Sequence, residues 1–267
     1  AHKSSGKTVI STGLSRALTM RGLTVQTFKK GPDYIDPMWL GLASGRPCYN
    51  LDFNTMTEGE VCNLLCSRAD GANISVIESN KGLYDGVDLH GADSNAAMAK
   101  LVKAPVVLVV DTTGTTRGIA PLLVGYQAFD AGVNIAGVIL NKTGGPRHEG
   151  KLRAAVEEYT DIPVLGAVGR SADLEIGERH LGLTTPSETG MIQGVIDTLG
   201  QRMTDSVDLD ALIAIAARAP DLEFAQGSSV TSFAKGLRIG VARDTAFGFY
   251  YPDDFEAFEA AGAELAF

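Results

Sequence analysis

Short apolar runs rich in β-branched residues recur along the chain and alternate with stretches of helical pattern, and few architectures accommodate that rhythm. The runs fall at 23–28, 74–78, 106–111, 135–141 and 164–168. Each is dominated by apolar and β-branched residues over a strand's length, which marks strands buried on both faces of a parallel sheet. Helical patterns lie between them at 9–20, 94–101, 120–131 and 150–159. This βαβ alternation predicts an α/β doubly wound, mostly parallel sheet, in which ligands bind beyond the carboxyl ends of the strands. A chain of 267 residues is long enough to bury such a core and part of a second one.

The charge balance narrows the partners. With 23 Lys and Arg against 32 Asp and Glu, the net charge of -9 argues against a general nucleic-acid surface, which needs clustered cations. No apolar run reaches the roughly 20 residues of a membrane helix. Any anionic ligand must therefore be met by local basic loops. The three cysteines, Cys48, Cys62 and Cys66, show no metal-ligand spacing. Cys62 and Cys66 are four apart in a helical stretch and read as packing residues, in keeping with a reducing cytoplasm.

Five sites at expected strand ends carry chemistry. Residues 1–8 read Ala-His-Lys-Ser-Ser-Gly-Lys-Thr, a P-loop pattern with Ala in place of the first Gly and an apolar helix directly behind it. Backbone N–H groups around Ser4, Ser5 and Gly6 would cradle phosphates at the helix N-terminus. Lys7 would reach the β- and γ-phosphates of ATP, and Thr8 would hold Mg²⁺. The plain alternative is a Gly-Lys-Thr start to a surface helix, and the strand that should precede such a loop is expected outside this chain.

The stretch Lys29-Lys30-Gly31-Pro32-Asp33-Tyr34-Ile35-Asp36-Pro37 follows the run at 23–28. In a Pro-braced loop, Asp33 and Asp36 can face a common cation and the lysines can face anionic oxygens, although a solvated turn would read the same. The run at 74–78 ends in Glu78, an acid placed to orient Mg²⁺ at a nucleotide, and continues Ser79-Asn80-Lys81-Gly82-Leu83-Tyr84-Asp85-Gly86. Asp85 has either a chemical or a turn-capping role. At 111–117, Asp-Thr-Thr-Gly-Thr-Thr-Arg offers Arg117 to phosphate or substrate, or forms a helix cap. Asn141 ends the run at 135–141, where its amide either pairs with the adenine edge or caps.

Taken in order, Lys-Gly-Pro-Asp-Tyr-Ile-Asp-Pro and Gly-Leu-Tyr-Asp-Gly after a strand ending in Glu78 resemble the cobyrinic acid a,c-diamide synthase family. The tail extends the resemblance. Arg-Ile-Gly-Val-Ala-Arg-Asp at 238–244, Ala246-Phe247 and Phe-Tyr-Tyr-Pro-Asp at 249–253 look like the opening of that family's glutamine amidotransferase domain. The resemblance implies a dethiobiotin-synthetase-like P-loop NTPase fold over 1–200, a helix and linker over 201–235, and the truncated start of a class I glutamine amidotransferase-like domain over 236–267. The linker is expected at 226–232, a strand at 237–242, and helices at 209–219 and 253–261.

Members of that family use ATP and Mg²⁺ to activate acetate side-chain carboxylates of a tetrapyrrole as acyl phosphates, which ammonia from glutamine converts to amides. Carried over by position, Asp33, Asp36 and Glu78 would serve Mg²⁺ and nucleotide, with Thr8 on the metal and Lys29 on the phosphates. Asp85 would act in amidation or substrate binding, and Tyr34 and Ile35 would lie near the substrate. Ser79-Asn80-Lys81 departs from the small apolar residues of corrin-forming members. Lys81 would meet a different set of carboxylates, and with Ala1-His2-Lys3 this is more like the sirohaem-amidating branch. All three cysteines precede residue 67, so the nucleophile of a glutaminase is expected outside this chain. A homodimer is an open expectation. Rival readings are a partition-type switch ATPase, against which His2 stands where a second P-loop lysine belongs, a dethiobiotin-synthetase-like ligase, and a binding module with a degenerate loop.

Overall fold

Every position of the first strand is buried although its sequence, Val-Gln-Thr-Phe-Lys-Lys, is mostly polar, because Gln26, Lys29 and Lys30 find hydrogen-bond or ionic partners inside the fold. In this computed structural model, which describes residues 4–171, 178–179, 182–183, 192–222, 233–244 and 247–267, the chain opens with α1 (Lys7–Met20) and that strand, β1 (Val25–Lys30). There follow α2 (Ile35–Ser44), β2 (Tyr49–Leu51), α3 (Glu58–Ala69), β3 (Ile74–Glu78), α4 (Asn95–Leu101), β4 (Val106–Asp111) and α5 (Ile119–Phe129). Next come β5 (Ile135–Thr143), α6 (Pro146–Tyr159), β6 (Val164–Gly169), a short antiparallel pair β7 (Glu178–Arg179) and β8 (Gly182–Leu183), α7 (Ile192–Ser206) and α8 (Leu209–Ala216). The chain closes with β9 (Arg238–Gly240), α9 (Pro252–Ala260) and β10 (Glu264–Ala266). Ala1, His2, Lys3, the linker expected at 226–232 and Ala246 lie outside the described residues.

Among the described residues the main strands form two parallel three-stranded sheets, ordered β2-β1-β3 and β4-β5-β6. Helices cover both faces, as side-chain alternation requires. Leu108, Val110, Val138 and Leu140 point to one face, packing with Ile119, Leu123, Leu152 and Val156 of α5 and α6. Val109 and Ile139 point to the other, against Ile10 and Leu14 of α1, Met203 of α7 and Leu209 of α8. Between β3 and β4, beneath α1, lies an apolar cavity of about 510 Å³ lined by Ile10, Leu14, Val76, Val107, Val109 and Ile139. The α1–α7 contact is close because Gly13 has no side chain: a Cβ there would meet Met203 Cγ at 2.7 Å and the Leu199 carbonyl at 2.8 Å.

Several expectations move. Asp36 and Pro37 do not belong to a loop but to the first turn of α2, where the missing proline N–H would have had no intrahelical partner. The helix expected at 209–219 ends at Ala216, where Arg218 and Ala219 turn back with i→i+3 bonds before Pro220. At the C-terminal end β9 and β10 pair in parallel about α9. No described helix is long and apolar enough to cross a membrane.

Candidate active site

Gly6 shapes the phosphate-sized turn. As N-cap of α1 it has φ 86°, a left-handed conformation that costs other residues about 1–2 kcal/mol. A Cβ at this position would also overlap the Asn141 amide. From below, Asn141 Nδ2 donates to the Ser5 carbonyl at 2.9 Å, and Lys142 Nζ donates to the Ser4 carbonyl at 3.0 Å and to Asp111 Oδ2 at 2.9 Å. The β4–β5 register, which sets Asp111 beside Asn141, makes this brace possible. Above it the N-terminus of α1 opens, where helix dipole and backbone N–H groups favour an anion.

The second sheet supplies the carboxylates. The β1–β3 register places Lys29 beside Glu78, and both side chains are almost wholly buried. Lys29 Nζ lies 2.5 Å from Asp36 Oδ2, 3.1 Å from Glu78 Oε1 and 3.7 Å from Asp33 Oδ2. Thr8 Oγ1 is 2.7 Å from Glu78 Oε1 and 3.2 Å from Asp36 Oδ2, so the first turn of α1 meets the end of β3 and the start of α2. Asp33 is spent differently. Its Oδ1 accepts from the N–H groups of Ile35 at 2.9 Å and Asp36 at 3.1 Å, satisfying the start of α2, while Asn50 Nδ2 donates to the carbonyls of Gly31 and Asp33 at 2.8 Å each.

Burial and neighbouring charge set the protonation of this cluster. Desolvation pushes Glu78 up to about 7; Lys29 and the Thr8 hydroxyl oppose the shift, and Asp36 adds to it. Burial alone would lower Lys29, but Glu78, Asp36 and Asp33 together raise it well above the ordinary lysine range, so its charge persists. Lys7 is lowered by burial and by Lys29, against the pull of Glu78, Asp36 and Asp85. Asp33 is raised by burial and by Asp36. Asp111 would be raised by burial, yet hydrogen bonds from Thr113 and Lys142 hold it down at about 2.

The donors fit a magnesium ion only in part. Among the described residues no three His, Cys, Asp or Glu side chains form a ready metal cage, since the Lys29 ammonium stands among the carboxylates. What converges is Thr8 Oγ1, Asp36 Oδ2 and Glu78, and Glu78 Oε2 is buried without a hydrogen-bond partner, as is Ser5 Oγ. Two or three protein oxygens suit Mg²⁺, which completes its shell with water and phosphate. Asp33, engaged by α2, is the least available of the expected ligands.

The other expected residues are distributed around this centre. Asp85 is exposed on the rim, where its Oδ2 accepts from Gly82 N at 3.1 Å, and Lys81 is exposed on the same loop. Tyr34 stacks on Tyr251 and Phe249. Ile35 packs with Trp39, Ile196 and Leu199 in the core. Arg117 is engaged with Tyr159, its guanidinium 5.1 Å from the ring centroid and 2.9 Å from the hydroxyl. Sequence reading missed Asn50 and Lys142 as supports of the loops. Asn50 lies in a three-residue strand with no local signal, whereas Lys142, at φ 58°, adjoins the residue already singled out.

The CobQ/CobB/MinD/ParA nucleotide binding domain family matches residues 3–183. Cobyrinate a,c-diamide synthase of Magnetococcus marinus is 48% identical over 98% of this chain and 58% of its own length. The protein of the same name from Dehalococcoides mccartyi is 40% identical over 99% of this chain and 58% of its own, and that from Picrophilus torridus 42% identical over 99% and 60%. The chain thus spans less than two thirds of the relatives it matches.

Proposed function

Because the chain belongs to the CobQ/CobB/MinD/ParA nucleotide binding domain family, we propose that it is the ATP-using part of a ligase that amidates side-chain carboxylates of a tetrapyrrole of the cobyrinate kind. The observation that carries the reading is the convergence of Thr8, Asp36, Glu78 and Lys29 at the mouth of a glycine-turned helix N-terminus. The names of the relatives supply the substrate class.

In this reading the backbone of residues 4–8 holds the β- and γ-phosphates of ATP, and Lys7 neutralises their charge. Thr8, Asp36 and Glu78 would hold Mg²⁺, which offsets charge on the transferred phosphoryl group, and Asp33 keeps Asp36 in place. Lys29, buried and charged, moderates the repulsion among the carboxylates and faces the phosphate oxygens. Asp85, Lys81 and Tyr34 belong to the substrate side. Ile35 and Arg117, engaged elsewhere, contribute through packing and through the α5–α6 surface.

A carboxylate is a poor acyl donor because its leaving group would be an oxide. Attack of a carboxylate oxygen on the γ-phosphorus, with cleavage of the bond to ADP, turns that oxygen into part of a phosphate. Ammonia nitrogen then attacks the acyl carbon, phosphate departs with the C–O electron pair, and the nitrogen loses a proton. Ammonia would come from glutamine, hydrolysed by a class I amidotransferase-like domain of which residues 236–267 are the start, with 1–200 as the ATP domain and 201–235 between them. The parallel β9-α9-β10 unit supports that division.

Transfer of ¹⁸O tests the chemistry. With carboxylate-labelled cobyrinic acid, each amide formed releases one phosphate carrying one label. Amides formed with unlabelled phosphate would refute the acyl-phosphate route, and ATP turnover indifferent to the tetrapyrrole would favour a switch ATPase.

A further inference from the structure

The turn at Asp33 and the start of α2, which carries Asp36, are gripped from outside by the C-terminal segment. Tyr34, between the two acids, stacks on Tyr251 with ring centroids 4.4 Å apart and planes 18° apart, and on Phe249 at 5.4 Å and 9°. A second anchor lies one strand away. Glu256 of α9 accepts from the Tyr49 hydroxyl at 2.6 Å and pairs with Arg68, whose guanidinium lies 4.8 Å from the Tyr49 ring centroid. Tyr49 is followed by Asn50, the residue that holds the carbonyls of Gly31 and Asp33. The segment therefore reaches the turn directly through Tyr34 and indirectly through Tyr49 and Asn50. Between the anchors lies a cavity of about 820 Å³ lined by Asp33, Tyr34, Met38, Arg46, Tyr251 and Phe255, so the contact rests on a few side chains rather than on a filled interface.

We propose that Tyr251 is a positioning residue: its ring, stacked on Tyr34, couples the seating of the C-terminal segment to the conformation of residues 31–36. The coupling runs through Asp33, whose carboxylate orders the N–H groups of Ile35 and Asp36 and so aims Asp36 at Lys29 and Thr8. In a two-part enzyme this gives the ATP site a means of sensing whether the partner domain is seated. The structural coupling stands on these contacts alone; its effect on nucleotide binding rests on the function proposed above.

Hydrogen exchange of the full-length protein, read by mass spectrometry on peptides spanning residues 31–37, tests it with Tyr251→Ala and Tyr251→Phe. Losing one aromatic stack corresponds to about two- to tenfold in a local opening equilibrium. Tyr251→Ala is expected to speed exchange at Ile35 and Asp36 by about that factor while β4 and β5 stay protected, and to weaken Mg·ATP binding similarly. Tyr251→Phe keeps the ring but loses the hydroxyl's hydrogen bond to Tyr34, and is expected to fall between the parent and the Ala variant. Unchanged exchange in Tyr251→Ala, a Phe variant as fast as the Ala variant, or acceleration across the whole chain would each overturn the proposal. If the parent protein bound no ATP, the functional reading would fail while the exchange data still decided the coupling.

Discussion

Lys29 is the residue on which the site balances. It is 2% exposed and is the cation nearest three carboxylates, so its loss leaves buried negative charge uncompensated. Lys29→Met should lower stability by about 3–5 kcal/mol, read as a drop in the denaturant midpoint. Glu78 gives a pH signature of definite sign. Its carboxyl titrates near 7 in the folded chain, above its ordinary value of 4.5, so the folded state holds an extra proton between those values. Its contribution to stability is therefore fully present below the lower value and is lost as pH rises toward 7. Cation binding runs the other way, since only the ionised form is a ligand. Mg²⁺-dependent nucleotide affinity should climb from pH 6 and level off above about 7. Glu78→Gln should bind more weakly and without that climb, as titration calorimetry across the range would show. Lys29, Asp33, Asp36 and Glu78 could be singled out as candidates because they lie at or just after strand ends in short distinctive motifs. The division of labour among them was not legible, because it depends on which carboxylate α2 claims, and Asp33 is spent on backbone N–H groups.

At the scale of elements, the legible parts are those rich in apolar β-branched residues. β3 and β4 fall at the expected bounds, whereas β2, three residues long, is too short to carry a pattern. The start of α2 was hidden because Pro37 and the turn-forming residues before it read as a loop, although proline is harmless in a first helical turn. α7 was not anticipated, and its seat depends on Gly13 of α1, whose need for close approach appears only when the helices are brought together. Gly13→Leu should therefore push α1 from α7 and cost on the order of 3 kcal/mol, visible as a lowered melting temperature. A substitution at Gly22, around which a Cβ would meet nothing within 4 Å, provides the contrast in packing alone.

At the scale of the whole molecule, the site spans both sheets: β5 braces the phosphate loop, while β1 and β3 supply the lysine and the acids. A ligand bound there ties the two sheets together. Mg·ATP at about 100 times its dissociation constant should stabilise the fold by about 2.7 kcal/mol, with most of the Mg²⁺-dependent part absent in Glu78→Gln. The α/β architecture that makes this junction was readable from the strand rhythm, but the contact of the C-terminal segment with Tyr34 was not, since its aromatics meet that ring across more than 200 residues of chain. The most direct test of the account is the mass of the tetrapyrrole itself. Incubating the full-length protein with ATP, Mg²⁺, glutamine or ammonium, and either cobyrinic acid or sirohaem should replace carboxyl hydroxyls of cobyrinic acid by amino groups, with one ADP formed per amide. ADP formation that leaves both tetrapyrroles unchanged would contradict it.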